Sequence, residues 1–504
     1  MIMQDQSAVE NFLKAQGRND GGDVSIITTH ISKLFLVDAL AFKLKRAVRL
    51  PYLDFSTPAM RLVACQRELD LNRRTAPELY LGVRQITRQP VGNLVFDGAG
   101  EMVDGVVVMR RFDQSALFDG MAMRGLLTNR MIDDLAQKIA QFHADASIKL
   151  GDGSKTMQGV LDINKRALQE TGLVAAATLA LITRQFEAAL HQHADLLDRR
   201  GCQGMIRHCH GDLTLRNICL FNNVPTLFDC LEFDDALATI DVLYDVAFLI
   251  MDLQHRGLAH HANRLFNRYC DETGESEGLA LLGFFVAVRA AVRAHVGAAQ
   301  AQDMAPAQAQ AILAEARAYL ALATAMLEAP TPQLVALGGR SGSGKSTLAA
   351  QCAAAIGLPP GARILSSDRL RKRLFGGRPE QMLPTAAYLP EVSEKVYQIQ
   401  REQARATLRT GTSVIVDAVF DRPEDRLALA ALASQQGVAF HGFWLEAPLG
   451  ALEARIQARQ HDPSDATVAV LHQQIARDPG PMTWQSIDAE ADITAMAAHV
   501  LAGL

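Results

Sequence analysis

The sequence predicts two domains of different class, an α+β unit ahead of residue 330 and an α/β unit after it. Short β-rich runs separated by turns fill the first quarter of the chain and give way to helical periodicity from Met131 onward. A break follows at Ala329-Pro330 and Thr331-Pro332, where a helix cannot continue. Beyond it, short apolar runs alternate with helical stretches, the pattern of a parallel sheet. At roughly 150 residues per domain, 504 residues are too many for one compact unit.

Ser32 to Val37 (SKLFLV), a turn at Asp38-Ala39, Leu40 to Lys45 (LAFKLK) and Gly105 to Arg111 (GVVVMRR) read as strands of an antiparallel sheet. Between them Ala59 to Arg74 places Leu62, Cys65 and Leu69 at helical spacing. A helical lobe follows, with Ile132, Leu135, Ile139 and Phe142 on one face and a second helix through Leu181 to Leu197. Met205 to Leu231 reads as two short strands around a loop, and Ile240 to Gln254 and Gly278 to Val296 return to helix. Ala298 to Ala329 holds 14 alanines in 32 residues, a helical linker interrupted at Pro306. The expected domains are therefore 1–330 and 331–504. In the second, Leu334 to Leu337, Arg363 to Leu365, Ser413 to Val416 and Phe440 to Leu445 are the expected strands.

Composition excludes several classes. Fifty basic against 55 acidic residues leave a charge of -5, which argues against a nucleic-acid binder or a DNA-dependent motor. The longest apolar run, Leu279 to Val288, is too short for a membrane span, and the N-terminus has no signal-like apolar core. Seven cysteines without a C-x-x-C pair fit reduced thiols of a cytoplasmic protein. His208, Cys209 and His210 lack a second ligand pair at zinc spacing. His143 reads as a packed core histidine.

In the second domain, Gly339 to Ser346 (GRSGSGKS) fits G-x-x-x-x-G-K-[ST] between an apolar strand and a helix. Gly339, Gly342 and Gly344 let backbone N–H groups curl around phosphate, Lys345 reaches the β and γ phosphates, and Ser346 ligates magnesium; Thr347 continues the motif into the helix. The next strand ends in Ser366-Ser367-Asp368, followed by Arg369, Arg371 and Arg373, and Asp368 is suited to accept an acceptor hydroxyl's proton or to cap a helix. SVIVDAVF delivers Asp417 to the same sheet edge, for the site or for packing alone. Arg455 and Arg459, one helical turn apart, suit a charge-neutralising lid or a solvated face.

Together GRSGSGKST, SSDRLRKRLFG, VIVDAVFDRPEDR and WLEAPLGALEARIQAR, over roughly residues 333 to 460, resemble the small P-loop kinases, including the polynucleotide-kinase, gluconate-kinase and zeta-toxin-like members. The resemblance implies a parallel-sheet P-loop NTPase fold of AAA type that binds ATP. It places Asp368 facing the acceptor hydroxyl and, loosely, Arg426 on the substrate side.

In the first domain, His210 to Asn217 (HGDLTLRN) precedes VPTLFDCLEF, which carries Asp229. Phosphoryl transfer needs a carboxylate to orient the attacking hydroxyl and an amide and second carboxylate to hold magnesium, and Asp212, Asn217 and Asp229 supply these at kinase-loop spacing. Such a site also needs a strand lysine paired with a helix glutamate. Glu68 is the glutamate, or else a solvated partner of Arg67 or Arg73. Lys43 and Lys45 share a strand face, so parity cannot choose between them; Lys43 is preferred because Lys45 adjoins Arg46 at the strand's end.

These residues, with AQKIAQFHADA before and DVLYDVAFLIMDL after, resemble the aminoglycoside phosphotransferase-like branch of the bilobal protein-kinase-like fold over residues 25 to 300. The resemblance implies Asp212 as catalytic base, Asn217 and Asp229 as magnesium ligands, and Asp245 as a buttress of the catalytic loop. One departure is that THISKLFLVDALAFKLK has no glycine-rich loop. The acidic run Glu232, Asp234, Asp235 is open to a cationic substrate, a solvated role or a place beside the metal.

The expected function is a bifunctional ATP- and magnesium-dependent phosphotransferase acting on hydroxyl groups of small molecules. The alternative is a regulatory ATP-binding protein whose first domain is a pseudokinase sensing module.

Overall fold

The computed structural model describes residues 4–17, 24–50, 53–302, 304–329, 331–377, 381–458 and 464–504. Helix α1 (Ser7–Ala15) precedes the strands β1 (Ser25–Thr28), β2 (Ser32–Val37) and β3 (Leu40–Lys45), followed by α2 (Pro58–Asn72), β4 (Tyr80–Arg88), β5 (Leu94–Phe96) and β6 (Glu101–Arg110). The strands form one six-stranded antiparallel sheet in the order β1-β2-β3-β6-β4-β5. Period-two alternation sorts β3 between the two faces. Phe42 and Leu44 pack with Val9 and Leu13 of α1, while Ala41 joins Cys65 and Leu69 of α2 on the other face. Lys43 and Lys45 therefore point toward α2. Thr57 caps α2 by accepting a hydrogen bond from the Met60 amide, and Pro58 occupies its first turn.

The sheet reading holds for β2 and β3, whose bounds coincide with the expected ones. Helix α1 and strands β1, β4 and β5 were not expected: YLGVRQITR of β4 is half polar, and its strand character comes from pairing with β6.

Next come α3 (Asn129–Asp145), α4 (Gly153–Thr171), α5 (Ala176–Cys202), β7 (Ile206–His208), β8 (Ile218–Phe221), β9 (Val224–Leu227), β10 (Thr239–Asp241), α6 (Val242–His255), α7 (Ala259–Thr273), α8 (Leu282–Ala301) and α9 (Pro306–Ala325). β8 and β9 form a hairpin closed by Asn222 and Asn223, and Asp229 lies two residues past the end of β9. The expected helix from Ile240 starts two residues later, because Thr239–Asp241 is a strand paired with β7 and Asp241 accepts from the Leu243 amide at the helix start. Among the described residues one stretch, Glu277–Ala301, is long and apolar enough to cross a bilayer; its most apolar window is 67% buried inside the protein, and α8 packs on α9. All seven cysteines are free thiols.

The last part holds β11 (Gln333–Gly339), α10 (Lys345–Ala353), β12 (Arg363–Ser366), α11 (Ser367–Leu374), α12 (Pro390–Arg409), β13 (Val414–Asp417), α13 (Pro423–Gln436), β14 (Ala439–Glu446), α14 (Leu449–Gln457), α15 (Val468–Ile475), β15 (Gln485–Asp488) and α16 (Ile493–Ala502). Its five strands are all parallel, in the order β12-β13-β11-β14-β15. Both faces are covered, with Val335 and Leu337 packed against Leu348, Cys352 and Val500, and Leu334 and Ala336 against Leu408, Leu429 and Trp444. The fifth strand, β15, is short and polar (QSID) and lay below the hydrophobic signal.

The chain divides into two compact units, residues 1–156 with 197–249, and residues 157–196 with 250–504. Helices α7, α8 and α9 thus group with the parallel sheet.

Candidate active sites

In the first unit, a chain of alternating charges crosses from β3 to the loop after β9. Glu68 on α2 is fully buried and takes Lys43 Nζ on Oε1 and Lys45 Nζ on Oε2, both at 2.6 Å. Lys43 also reaches Asp229 Oδ1 at 2.5 Å, and Lys45 is paired with buried Glu232. The two lysines left open by strand parity both bind Glu68. They differ in their second partner, and only Lys43 contacts Asp229. Burial alone disfavours every charge here, but the opposite charges outweigh it: the ammonium of Lys43 is held well above its usual pKa, and Glu68 below its own. Burial opposes ionisation of Asp229 as well, yet Lys43 brings its pKa down to about 2. Asp229 sits at φ 62, a left-handed conformation that a non-glycine residue holds at some cost.

The catalytic-loop candidates converge on the same edge. Asn217 is buried and donates from Nδ2 to the backbone oxygen and Oδ2 of Asp212, both at 2.8 Å, and Arg216 donates to the same carboxylate at 2.9 Å. The Phe228 amide donates to the Asn217 carbonyl at 3.0 Å, and His210 Nε2 lies 3.0 Å from the Phe228 carbonyl, tying loop to strand end. Asp245 is buried and accepts from the His210 amide at 3.1 Å and the Gly211 amide at 2.9 Å, which is a buttress geometry. His143 is buried as expected, and its Nε2 is 3.1 Å from Asp245 Oδ2. With Cys209 these two residues form a group of potential metal ligands whose ligand atoms lie within 4.8 Å of one another, but Asp245 is committed to the loop amides.

Asp229 and Asn217 fit a hard cation. The Asp229 side chain is 40% exposed, and the Asn217 amide nitrogen is spent on Asp212, which leaves its oxygen as the donor. The acidic run is otherwise employed: Glu232 is buried against Lys45, Asp234 caps the turn that follows it, and Asp235 pairs with Arg67. The buried Glu232 is a site residue that sequence reasoning placed only within that run.

In the second unit, Gly339, Gly342 and Gly344 all take positive φ (145, 87 and 89). A Cβ at Gly342 would stand 2.7 Å from the Leu452 carbonyl, whereas at Gly344 it would meet nothing within 4 Å. Gly344 is thus needed for its conformation, and the space beside it is open, as an anion cradle requires. Lys345 folds back on the loop, 3.0 Å from the Arg340 carbonyl. Ser346 donates to Asp417 Oδ2 at 2.5 Å, so strand β13 does deliver Asp417 to the loop. Burial pushes the Asp417 carboxyl up, against the pull of Lys345 and Ser346. Thr347 is exposed on the first turn of α10, and Asp368 is half-buried on the first turn of α11.

Two residues, Arg455 and Arg426, depart from the expected pattern. Arg455 donates to the Ala489 carbonyl at 2.7 Å, a bond to the sheet's far edge. Arg459 lies outside the described residues. Arg426 is not on a substrate face: it is 4% exposed and spends its guanidinium on the carbonyls of Phe420, Pro479 and Pro481. Two groups went unnoticed in the sequence. Gln474 clamps Ser341 of the loop through both ends of its amide, at 2.9 and 3.0 Å. Lys372 is buried and paired with Asp465 at 2.6 Å, which also accepts from the Leu383 amide and the Tyr388 hydroxyl. Gln474 belongs to no short motif, and Lys372 lies within SSDRLRKRLFG but its partner Asp465 is 93 residues away, so no local signal marks either contact.

Residues 62–282 match the model of the phosphotransferase enzyme family, and residues 334–480 that of an AAA domain. The chain is 30% identical over 479 residues, 92% of each chain, to an uncharacterized protein of Mycobacterium tuberculosis strain H37Rv, and equally to one of Mycobacterium bovis. Among solved structures it is similar to an aminoglycoside 2'-phosphotransferase-IIIa in complex with GDP (16% identity, 62% of this chain and 99% of that one, TM-score 0.39). It is also similar to a gluconokinase from Sinorhizobium meliloti 1021 (20% identity, 34% of this chain and 91% of that one, TM-score 0.26). The chain belongs to the same family as these mycobacterial proteins and carries a kinase-like phosphotransferase domain followed by a P-loop AAA domain with a parallel sheet.

Proposed function

We propose that the chain is a bifunctional phosphotransferase that moves the γ-phosphoryl group of ATP to hydroxyl groups of small molecules at two separate sites, one in each of the domains 1–330 and 331–504. The observation that carries this reading is the convergence, in the first unit, of Asp212, Asn217, Asp229, Lys43 and Glu68 on one edge. Asp212 takes the proton of the acceptor hydroxyl as the new oxygen–phosphorus bond forms and the bond to the β–γ bridging oxygen breaks. Asn217 and Arg216 hold its carboxylate in place, and Lys43, fixed by Glu68, faces the phosphates. Asn217 and Asp229 hold magnesium, which neutralises phosphate charge. At the second site the glycine cradle and Lys345 bind the phosphates, Ser346 and Asp417 hold magnesium, and Asp368 takes the acceptor's proton.

The pseudokinase alternative has one observation in its favour. In the glycine-free hairpin, Thr29 Oγ1 donates to the Ser32 carbonyl and accepts from the Ser32 amide, both at 3.0 Å, so its hydroxyl closes the turn.

The test uses the full chain with γ-labelled ATP and a pooled library of metabolites, nucleosides and aminoglycosides. Lys345→Ala leaves the first site and Asp212→Asn leaves the second. In the Lys345→Ala background, Asp212→Asn slows single-turnover transfer by about 10² to 10⁴-fold with ATP binding unchanged. Equal rates with and without Asp212, both above a no-protein control, would remove Asp212 from the mechanism, and no turnover by the Lys345→Ala protein with any acceptor would favour the sensing module.

A further inference from the structure

Helix α7 lies within the stretch matched by the phosphotransferase model, and β12 and α11 lie within the AAA stretch. Three side chains at four-residue spacing on α7 nevertheless complete the edge of the parallel sheet. β12 is the outermost strand, so its outward backbone groups have no strand neighbour. Asn263 donates to the carbonyls of Pro360 at 2.9 Å and Ala362 at 3.1 Å. Asn267 donates to the Ala362 carbonyl at 3.1 Å and accepts from the Ile364 amide at 2.7 Å and from Arg363 at 3.0 Å. Asp271 takes Arg363 on Oδ1 at 2.5 Å and Arg369 on Oδ2 at 3.1 Å. Asn263, Asn267 and Arg363 are all buried.

The last contact reaches the second site. Asp368 lies two residues past the end of β12, and Asp271 grips Arg363 at the start of that strand and Arg369 one residue beyond Asp368. The carboxylate therefore fixes the strand-to-helix turn on both sides of the acceptor-facing acid. Removing its charge leaves a buried arginine without its anion and releases Arg369 from the turn that carries Asp368.

We propose that Asp271 is a positioning residue for the P-loop site, so that a helix of the phosphotransferase-matched region forms part of the second site's working geometry. This rests on the phosphotransferase reading of that site.

The test is made on the full chain in the Asp212→Asn background, comparing Asp271→Asn and Asp271→Glu with Lys345→Ala and Asp368→Asn. Asp271→Asn is expected to lower kcat at the second site about tenfold or more with ATP affinity within about twofold, and Asp271→Glu to restore most of the rate. Amide hydrogen exchange supplies a second reading that needs no turnover: Asp271→Asn speeds exchange over residues 366–374 and leaves the P-loop helix 345–353 unchanged. Unaltered kcat, a parallel loss of ATP binding and rate, or unaltered exchange over 366–374 overturns the proposal. Full turnover in Lys345→Ala or Asp368→Asn would instead sink the reading of the site itself, whatever Asp271 does.

Discussion

Glu68 shows how much one buried carboxylate can organise. It holds two lysines, each of which reaches a second acid, Asp229 and Glu232, three residues apart, so the five charges form one alternating chain. A buried ion pair contributes little net stability, but removing one partner leaves an uncompensated charge. Lys45→Ala should therefore cost about 3–5 kcal/mol in urea unfolding, because both of its acids are buried. Asp229→Asn should behave differently, since its carboxylate is 40% exposed. We expect loss of magnesium-dependent turnover at the first site, measured in the Lys345→Ala background, with only a small change in urea midpoint. The pH dependence has a definite sign. The Asp229 pKa of about 2 lies below the unfolded value, so its pairing stabilises the fold fully above about pH 4 and the contribution is lost as pH falls through about 2. The stabilities of wild type and Asp229→Asn should converge across that window.

At the scale of elements, the loop between β11 and α10 is fixed by backbone geometry. Gly342→Ala puts a methyl group 2.7 Å from the Leu452 carbonyl at φ 87, and a strain of about 1–3 kcal/mol should weaken ATP binding at the second site by roughly ten- to a hundredfold, read by titration of fluorescent ATP. Helix α13 carries the opposite kind of strain. Burial, ahead of the partial relief from Arg401, raises the Asp425 pKa to about 6, and its Oδ2 has no hydrogen-bond partner among the described residues. A raised acid favours the folded state below the unfolded pKa and loses that advantage as pH rises toward 6. Asp425→Asn should therefore raise stability at pH 8 relative to pH 4, by at most about 3 kcal/mol, in parallel urea titrations.

For the whole molecule, the seam on α7 makes the second domain dependent on residues before 330. A fragment of residues 331–504 lacks Asn263, Asn267 and Asp271, whereas one of residues 250–504 keeps them. The shorter fragment should melt at a lower temperature by circular dichroism, because several buried hydrogen bonds worth about 1 kcal/mol each are lost and Arg363 is left without its carboxylate. What the sequence by itself determined are the pieces whose geometry is local. The phosphate loop lies within eight residues, and HGDLTLRN places Asp212 and Asn217 five apart, so spacing alone implies their contact. β2 and β3 were equally legible, since alternation and a turn specify a hairpin. Tertiary structure alone decided that Lys43 and not Lys45 meets Asp229, 186 residues away, that Arg426 is buried under three carbonyls, and that Asp271 reaches Arg369 across 98 residues. Such pairs carry no periodicity or spacing, because each side chain is placed by its own element and only the packing of distant elements brings them together.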